Sequence, residues 1–431
     1  MRTLLTSTFI LLLSLQATAQ NSVVLHTEKD GQDEEILLPE NMTLGIDTLL
    51  QDWHAKNYLA PMNDCEPGSV NPEYPDSVYI DRLSRIPGVI EMPYNDIVRQ
   101  CIDMYSGRLR KAVALMLGSS NFYIPLFEEA LDAYNLPHEL KYLPVIESAL
   151  KPEATSRAGA SGLWQFMLKT GKLYGLEVNT LVDERRDPIK STYAAARYLR
   201  DLYDIFKDWN LVIAAYNCGP GNINKAIHRA GGSTDYWEIY PYLPRETRGY
   251  VPAFIAANYI MTYYCDHNIC PMDATLPAHT DTLHISRDLH FKQIAEVCNI
   301  PLEEIRALNP QYKKDIVPGH SMAGSILRLP EAEINAVIDA GDSIYNYRAD
   351  ELFSKRRQVA VREQTSSRKS SASRKATTES APSKDAQYYK VKRGDTLSTI
   401  ASKYGMTVKQ LQRLNGMSNT RITAGKSIRV K

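Results

Sequence analysis

Residues 143–167, LPVIESALKPEATSRAGASGLWQFM, decide how the chain reads. One carboxylate, Glu147, interrupts an apolar run. If the run is helical, Leu140, Leu143 and Leu150 stand at i−7, i−4 and i+3 from Glu147, so all four share one face. A carboxylate on a core-facing stripe is costly to ionise. It is expected either to be paired or to be held neutral for a chemical purpose.

From about Ser77 to His267 the signals around this stretch are helical. DIVRQCIDMYSGRLRKAVALML (96–117) carries apolar residues near a 3.6-residue period. YIPLFEEALDAYNLP (123–137) reads as a helix ended by Asn-Leu-Pro. RRDPIKSTYAAARYLRDLYDIF (185–206) has Asp187 as N-cap and Pro188 as its first helical residue. DWNLVIAAYNCGPGNINKAIHRAGG (208–232) reads as helix, Gly-Pro-Gly break, helix and Gly-Gly stop. LPRETRGYVPAFIAANYIMTYYC (243–265) is a further helix, with Pro252 marking a start or a kink. Asp183 and Asp187 are expected to cap and brace a helix.

The rest of the chain has a different texture. Arg2, an apolar stretch from Leu4 to Leu15 and Ala17-Thr18-Ala19 make residues 1–19 an export signal. The apolar stretch is shorter than the roughly 20 residues that span a bilayer. No Cys follows it to take a lipid, and no second membrane segment is visible. Residues 20–76 lack a sustained period and are expected to form a loose N-terminal extension. After Pro271, residues 282–330 read as strand, helix, helix, strand, and residues 388–431 repeat that plan. FKQIAEVCNIPLEEIRALN (291–309) aligns without gaps on LSTIASKYGMTVKQLQRLN (397–415), which argues for two copies of one unit. Residues 331–354 are expected to be helical. Residues 355–387 carry nine Lys/Arg against three Asp/Glu, many Ser and no aromatic, and are expected to be a flexible linker.

In the last unit Asp395 or Thr396 can cap the first helix, Thr407 the second, and Gly405 ends the first. Its VKRGDTLSTIA segment joins a turn to a helix start, exposing backbone N–H groups suited to sugar oxygens. The formal net charge is zero, and no nucleic-acid partner is indicated. The six cysteines of an exported chain can oxidise, and Cys265 and Cys270 could bridge locally. CDHNIC (265–270) has too few neighbouring ligands for a zinc site, so no metal is expected. No cofactor motif is visible.

Two parts carry a resemblance. Residues 388–431 resemble a LysM domain, which implies binding to N-acetylglucosamine-containing glycans through Gly394, Asp395, Thr396 and Leu397. Residues 282–330 are a degenerate copy, with SRDLHF in place of the Gly-Asp-Thr-Leu turn. LPVIESAL, SGLWQFM, AAYNCGPGN and ETRGYV, in that order, resemble the lysozyme-like fold of bacterial lytic transglycosylases of the D type. The resemblance implies a mainly α lysozyme-like catalytic domain at 77–270, followed by small α+β (βααβ) LysM domains.

It further implies that Glu147 is the catalytic acid and base, with Ser148, Gln165, Tyr216, Asn217, Glu246 and Tyr250 contacting substrate or shaping the cleft. Trp164 departs from the Met or Ile frequent at its position and could add a stacking surface or fill the core. The implied substrate is the peptidoglycan glycan strand, cut at the MurNAc-β-1,4-GlcNAc bond to leave a 1,6-anhydro end. The expected protein is an exported monomer of the periplasm or cell envelope, without a transmembrane anchor. A hydrolytic muramidase on the same fold and a non-catalytic wall-binding protein are the alternatives.

Overall fold

The computed structural model describes residues 24–29, 32–37, 70–272, 276–277, 279–319, 325–353, 387–392, 394–415, 417, 422 and 425–430. The expected export signal, and the basic linker apart from Gln387, lie outside them. The chain divides into two units, residues 1–364 and 365–431.

The first unit opens with an antiparallel hairpin of β1 (Val24–Lys29) and β2 (Gln32–Leu37), with Lys29 opposite Gln32. This corrects the expected loose extension. Asp30-Gly31 separates the strands in sequence, and Asp-Gly between strands is a strong hairpin signal.

The helical part begins with α1 (Asp76–Arg85), α2 (Asp96–Ser106) and α3 (Arg110–Ala133). The period expected over 96–117 is split. Gly107 ends α2, where a Cβ would approach the Asp103 carbonyl to 2.8 Å. α3 instead runs on through Pro125 to Ala133, joining two segments read separately. A 3-10 turn at His138–Tyr142 leads into α4 (Leu143–Ser148), followed by the short α5 (Leu168–Leu173). α6 (Pro188–Phe206) starts as expected, with the Asp187 carboxylate accepting from the backbone N–H groups of Ile189 and Lys190. α7 (Trp209–Cys218) and α8 (Pro220–Arg229) flank the Gly219 break, where φ is +83°. Two short helices, α9 (Tyr236–Ile239) and α10 (Arg245–Arg248), precede α11 (Tyr250–Tyr263). Pro252 lies in the first turn of α11, where its missing N–H has no helical partner to lose.

α11 is the axis of this part. Every residue from Tyr250 to Met261 is buried, which explains its apolar character on all sides. The core packed around it takes in α2, α3, α4 and α7.

The strand–helix–helix–strand unit follows as expected. It comprises β3 (Thr280–Ile285), β4 (Leu289–His290), α12 (Phe291–Cys298), α13 (Leu302–Leu308), β5 (Ile316–Val317) and β6 (Ser325–Pro330). β3 pairs antiparallel with β6, and β4 with β5. The segment after it forms α14 (Ile334–Ala340), α15 (Asp342–Asn346) and α16 (Ala349–Leu352), broken at Gly341 (φ +49°). Its Ile334, Val337 and Ile344 are buried in the same core as Leu289, Phe291 and Leu327. Leu181 and Val182 of the helical part complete that core. The two parts are also tied by backbone: Asp183 N–H donates to Gln311 C=O (2.8 Å) and Lys313 N–H to Leu181 C=O (2.8 Å).

The second unit holds β7 (Tyr388–Lys390), α17 (Leu397–Lys403), α18 (Val408–Leu414) and β8 (Ser427–Arg429), with β7 and β8 antiparallel. Thr396 caps α17, Thr407 caps α18, and Gly405 takes φ +65°.

Cys265 is a free thiol, so the local bridge to Cys270 is not formed; Cys270 is disulfide-bonded. Among the described residues no helix is long and apolar enough to cross a membrane.

Candidate active site

Glu147 occupies the last turn of α4, and the helix stops one residue later. Ala149 (φ +51°) and Leu150 (φ +59°) both take the left-handed conformation, which costs a non-glycine residue on the order of 1–3 kcal/mol. The expectation that Glu147 and Leu150 share a helical face is therefore corrected. Leu140, Leu143 and Leu150 are buried, but the chain turns away before Leu150. The turn leaves the Glu147 side chain at a helix end with partial exposure, where a ligand can reach it.

Its carboxyl is pushed up to about 7, because burial penalises the charged form; a hydrogen bond from Tyr250 opposes the shift. The Tyr250 hydroxyl donates to Glu147 Oε1. Tyr250 is fully buried at the start of α11, and its phenol is held well above the usual value, first by burial and then by the Glu147 charge. It therefore stays protonated and can only donate to the carboxylate. Tyr216 in α7 is raised by the same two causes. Its hydroxyl donates to the Trp164 carbonyl (2.7 Å), and its ring lies against Tyr198, with centroids 5.3 Å apart. α4, α7 and α11 thus bring Glu147, Tyr216 and Tyr250 to one place.

The loop 154–166 is held against this cluster. The Ser148 hydroxyl reaches the Leu163 carbonyl at 2.9 Å and is only 2 % exposed. Ser148 therefore ties the end of α4 to the loop, a correction to the expected substrate contact. Gln165 adopts φ +47°, and its Nε2 donates to the carbonyls of Gly162 (2.8 Å) and Ala154 (3.1 Å). Its Oε1 is buried without a protein partner. Gly162 has φ +92°, and a Cβ there would meet the Arg185 carbonyl at 1.7 Å. Trp164 fills the core: it is 1 % exposed, its Nε1 donates to Thr192 Oγ1 (2.8 Å), and it packs edge-on to Phe127.

Asn217 is exposed and accepts from the Thr247 hydroxyl (2.9 Å), joining the end of α7 to α10. Glu246, also on α10, is exposed.

Sequence reading missed Arg185. Its Nε and Nη2 grip both oxygens of Asp183 at 2.9 and 2.8 Å, and its Nη1 donates to the carbonyls of Gly159 (2.8 Å) and Phe166 (3.0 Å). Both side chains are buried. Asp183 does not cap a helix, contrary to expectation; it neutralises the arginine that clamps the middle of the loop to its end. The signal was Asp-Glu-Arg-Arg-Asp-Pro, where only the last Asp had an obvious use.

In the second unit Gly394 has φ +97° and is exposed together with Thr396. The Asp395 carboxylate accepts from Lys392 N–H (2.8 Å) and the Tyr389 hydroxyl (2.9 Å), which hold it below the usual range. Leu397 is 2 % exposed and belongs to the core, a correction to its expected place in a glycan site.

The corresponding face of the first copy is covered. Arg287 lies over the Tyr345 ring at 3.8 Å and pairs with Asp342 at 2.9 Å. Gln293 Nε2 donates to the carbonyls of Tyr345 (3.0 Å) and Tyr347 (2.9 Å), and His290 packs against Phe353.

Residues 125–239 match the transglycosylase SLT domain, residues 279–346 the LysM-like domain of lytic transglycosylase MltD, and residues 389–431 the LysM domain. The chain carries all three, so the mainly α fold with small βααβ units read from the sequence stands. Among relatives, it is 32% identical over 305 residues to membrane-bound lytic murein transglycosylase D of Escherichia coli (strain K12), covering 69% of this chain and 60% of that protein. It is 30% identical over 135 residues to soluble lytic murein transglycosylase of the same organism, covering 30% of this chain and 21% of the relative. Among solved structures, the 70 kDa soluble lytic transglycosylase SLT70 from Escherichia coli aligns over 36% of this chain and 26% of its own, at 28% identity and TM-score 0.29.

Proposed function

We propose that this protein is an exported lytic transglycosylase that cuts peptidoglycan glycan strands between N-acetylmuramic acid and N-acetylglucosamine. The observation that carries this reading is Glu147: a carboxyl pushed up to about 7 at a helix end, with one phenol donating to it. A carboxyl in that range holds a proton near neutral pH and can give it to the leaving glycosidic oxygen. The bond from C1 to that oxygen then breaks. Glu147 is left as the carboxylate, the form that the Tyr250 hydroxyl stabilises. It next removes the proton of the sugar's own C6 hydroxyl, whose oxygen bonds to C1 and closes the 1,6-anhydro ring. One proton has moved from O6 to the departing oxygen through Glu147, and no water is consumed. The nucleophile belongs to the same molecule, which favours it over solvent.

Tyr216, Gln165, Asn217 and Glu246 are assigned to the walls of the cleft. Gln165 offers a buried unpartnered acceptor there, suited to a sugar hydroxyl or an acetamide N–H. The LysM unit, through the exposed Gly394–Thr396 turn, holds a strand while the SLT domain searches near it, which raises local substrate concentration. The protein acts as a monomer in the periplasm or at the envelope. The chain spans 60% of the length of the first relative above, whose printed name is a membrane-bound murein transglycosylase.

Digestion of purified peptidoglycan followed by mass spectrometry tests this. Fragments one water lighter than hydrolytic ones support it. Reducing ends would identify a muramidase. Retained binding without any product would identify a wall-binding protein.

A further inference from the structure

A second cavity lies between the SLT domain and the LysM-like unit, with a volume of about 760 Å³. That is within the range of small-ligand sites, roughly 300–1,000 Å³. One wall is Phe122 and Leu126 of α3 with Ile189 of α6; the opposite wall is Leu308, Ile326 and Gln311. It does not involve Asp288–Phe291, the segment that corresponds to Gly394–Leu397 of the last unit, where Gly394 and Thr396 are exposed.

One buried side-chain acceptor at this cavity has no donor among the described residues, and one backbone carbonyl beside it has lost its helical donor. Gln311 is 7 % exposed, and its Oε1 is buried without a partner. Pro125 has no N–H to give the carbonyl of Asn121 one turn earlier, and both residues line the cavity. A smaller hollow of about 30 Å³ also borders Gln311 and has room for water. A ligand with O–H or N–H donors and an apolar face would satisfy these groups.

The charges choose among such ligands. Asp187, Asp281 and Glu331 face Lys190 and Arg328, three carboxylates against two cations. Lys190 is already paired with Glu184. This balance disfavours anionic wall polymers and the acidic peptide stems of peptidoglycan. It suits a neutral N-acetylated sugar, whose ring C–H face can lie on Phe122, Leu126 and Ile326 and whose hydroxyls and acetamide N–H can reach Gln311 and Asn121.

We propose that this inter-domain cavity is a distal sugar site, holding one or two N-acetylhexosamine rings of a glycan strand away from Glu147. The proposal deepens the function given above and rests on it for the choice of ligand. The LysM-like unit thereby contributes to glycan recognition through the face it shares with the SLT domain.

Hydrogen–deuterium exchange on the full-length Glu147→Gln protein tests the site, with the β-1,4 hexamer of N-acetylglucosamine as probe. The hexamer should slow exchange in peptides covering 121–126, 307–311 and 326–331. Ile326→Arg, on an exposed wall, and Gln311→Met should each remove that protection and weaken this site at least tenfold. Protection of peptides spanning 147 and 250, and of 394–397, should persist. Melting of Gln311→Met checks that the variant stays folded, since it removes an unsatisfied acceptor together with a side-chain hydrogen bond to Tyr312. The proposal is overturned if the cavity peptides exchange unchanged, if the two variants stay protected, or if a free stem peptide protects them and the hexamer does not. The catalytic reading fails separately, by loss of protection at 147 and 250 together with absence of anhydro products from the unsubstituted protein.

Discussion

The Tyr250 hydroxyl donates to the Glu147 carboxyl across 103 positions of sequence, so the start of the central helix tempers the pKa that burial raises in the last turn of α4. Because the phenol stays protonated, its bond favours the charged carboxylate and lowers a value that burial raises. Tyr250→Phe should therefore raise the Glu147 pKa further, by about one unit if the bond contributes on the order of 1.5 kcal/mol. The profile of kcat/KM against pH should show its alkaline limb moved up, with a lower maximum, because the base form needed in the second step becomes less stable. A limb that does not move would remove Tyr250 from the control of Glu147.

The same raised value links Glu147 to stability. Its folded pKa of about 7 exceeds the ordinary 4.5, so the folded state binds the proton more tightly. Below pH 4.5 both states are protonated and nothing is lost. Stability falls from there through pH 7, and above that the full cost of on the order of 2–3 kcal/mol is present. Glu147→Gln should abolish glycan cleavage and raise the melting temperature at pH 8, with little change at pH 4. Calorimetry at the two values reads the difference directly.

Asp183→Asn leaves the buried Arg185 guanidinium without its counter-charge while keeping the shape. Breaking one partner of a buried ion pair costs about 3–5 kcal/mol. Urea denaturation should show a loss of that order. Residual activity of the folded fraction should fall mainly in kcat, since Arg185 clamps the carbonyls of Gly159 and Phe166, in the middle and at the end of the cleft loop.

Trp164→Phe separates core filling from sugar stacking. It removes the Nε1–H donor to Thr192 and part of a buried ring. The expected cost is about 1–3 kcal/mol of stability, with KM for glycan unchanged. A raised KM at unchanged stability would return the residue to the substrate.

Much of this was legible in the sequence. The Asp187-Pro188 start of α6, the Gly219 break and the βααβ repeats are local signals, written by caps and turns within a few residues. Glu147 was legible as an anomaly in an apolar run, but the run alone suits a paired structural carboxylate better; the neighbouring motifs were what pointed to a chemical role. What was not legible came from distance or from competition. Gly107 overrode the period across 96–117, and two left-handed residues ended α4 before Leu150. Ser148 and Leu397 fit their motifs, yet their side chains point into protein. The clamp by Arg185 depends on carbonyls 19 and 26 positions away, which no window of sequence holds together.

The bridge between Val182 and Tyr312 makes the strand edge of the SLT domain continuous with the unit that follows it. Two apolar residues that the first domain's sequence supplies, Leu181 and Val182, are buried in the core of the second. A gene trimmed at residue 270, where the helical pattern stops, would thus yield a fragment with a raw patch beside the Asp183–Arg185 clamp. The smallest portable piece that keeps this surface covered ends near residue 353. A recombination event that grafted this SLT domain onto a new partner would have to carry the LysM-like unit with it or rebuild that surface, so the two travel as one piece.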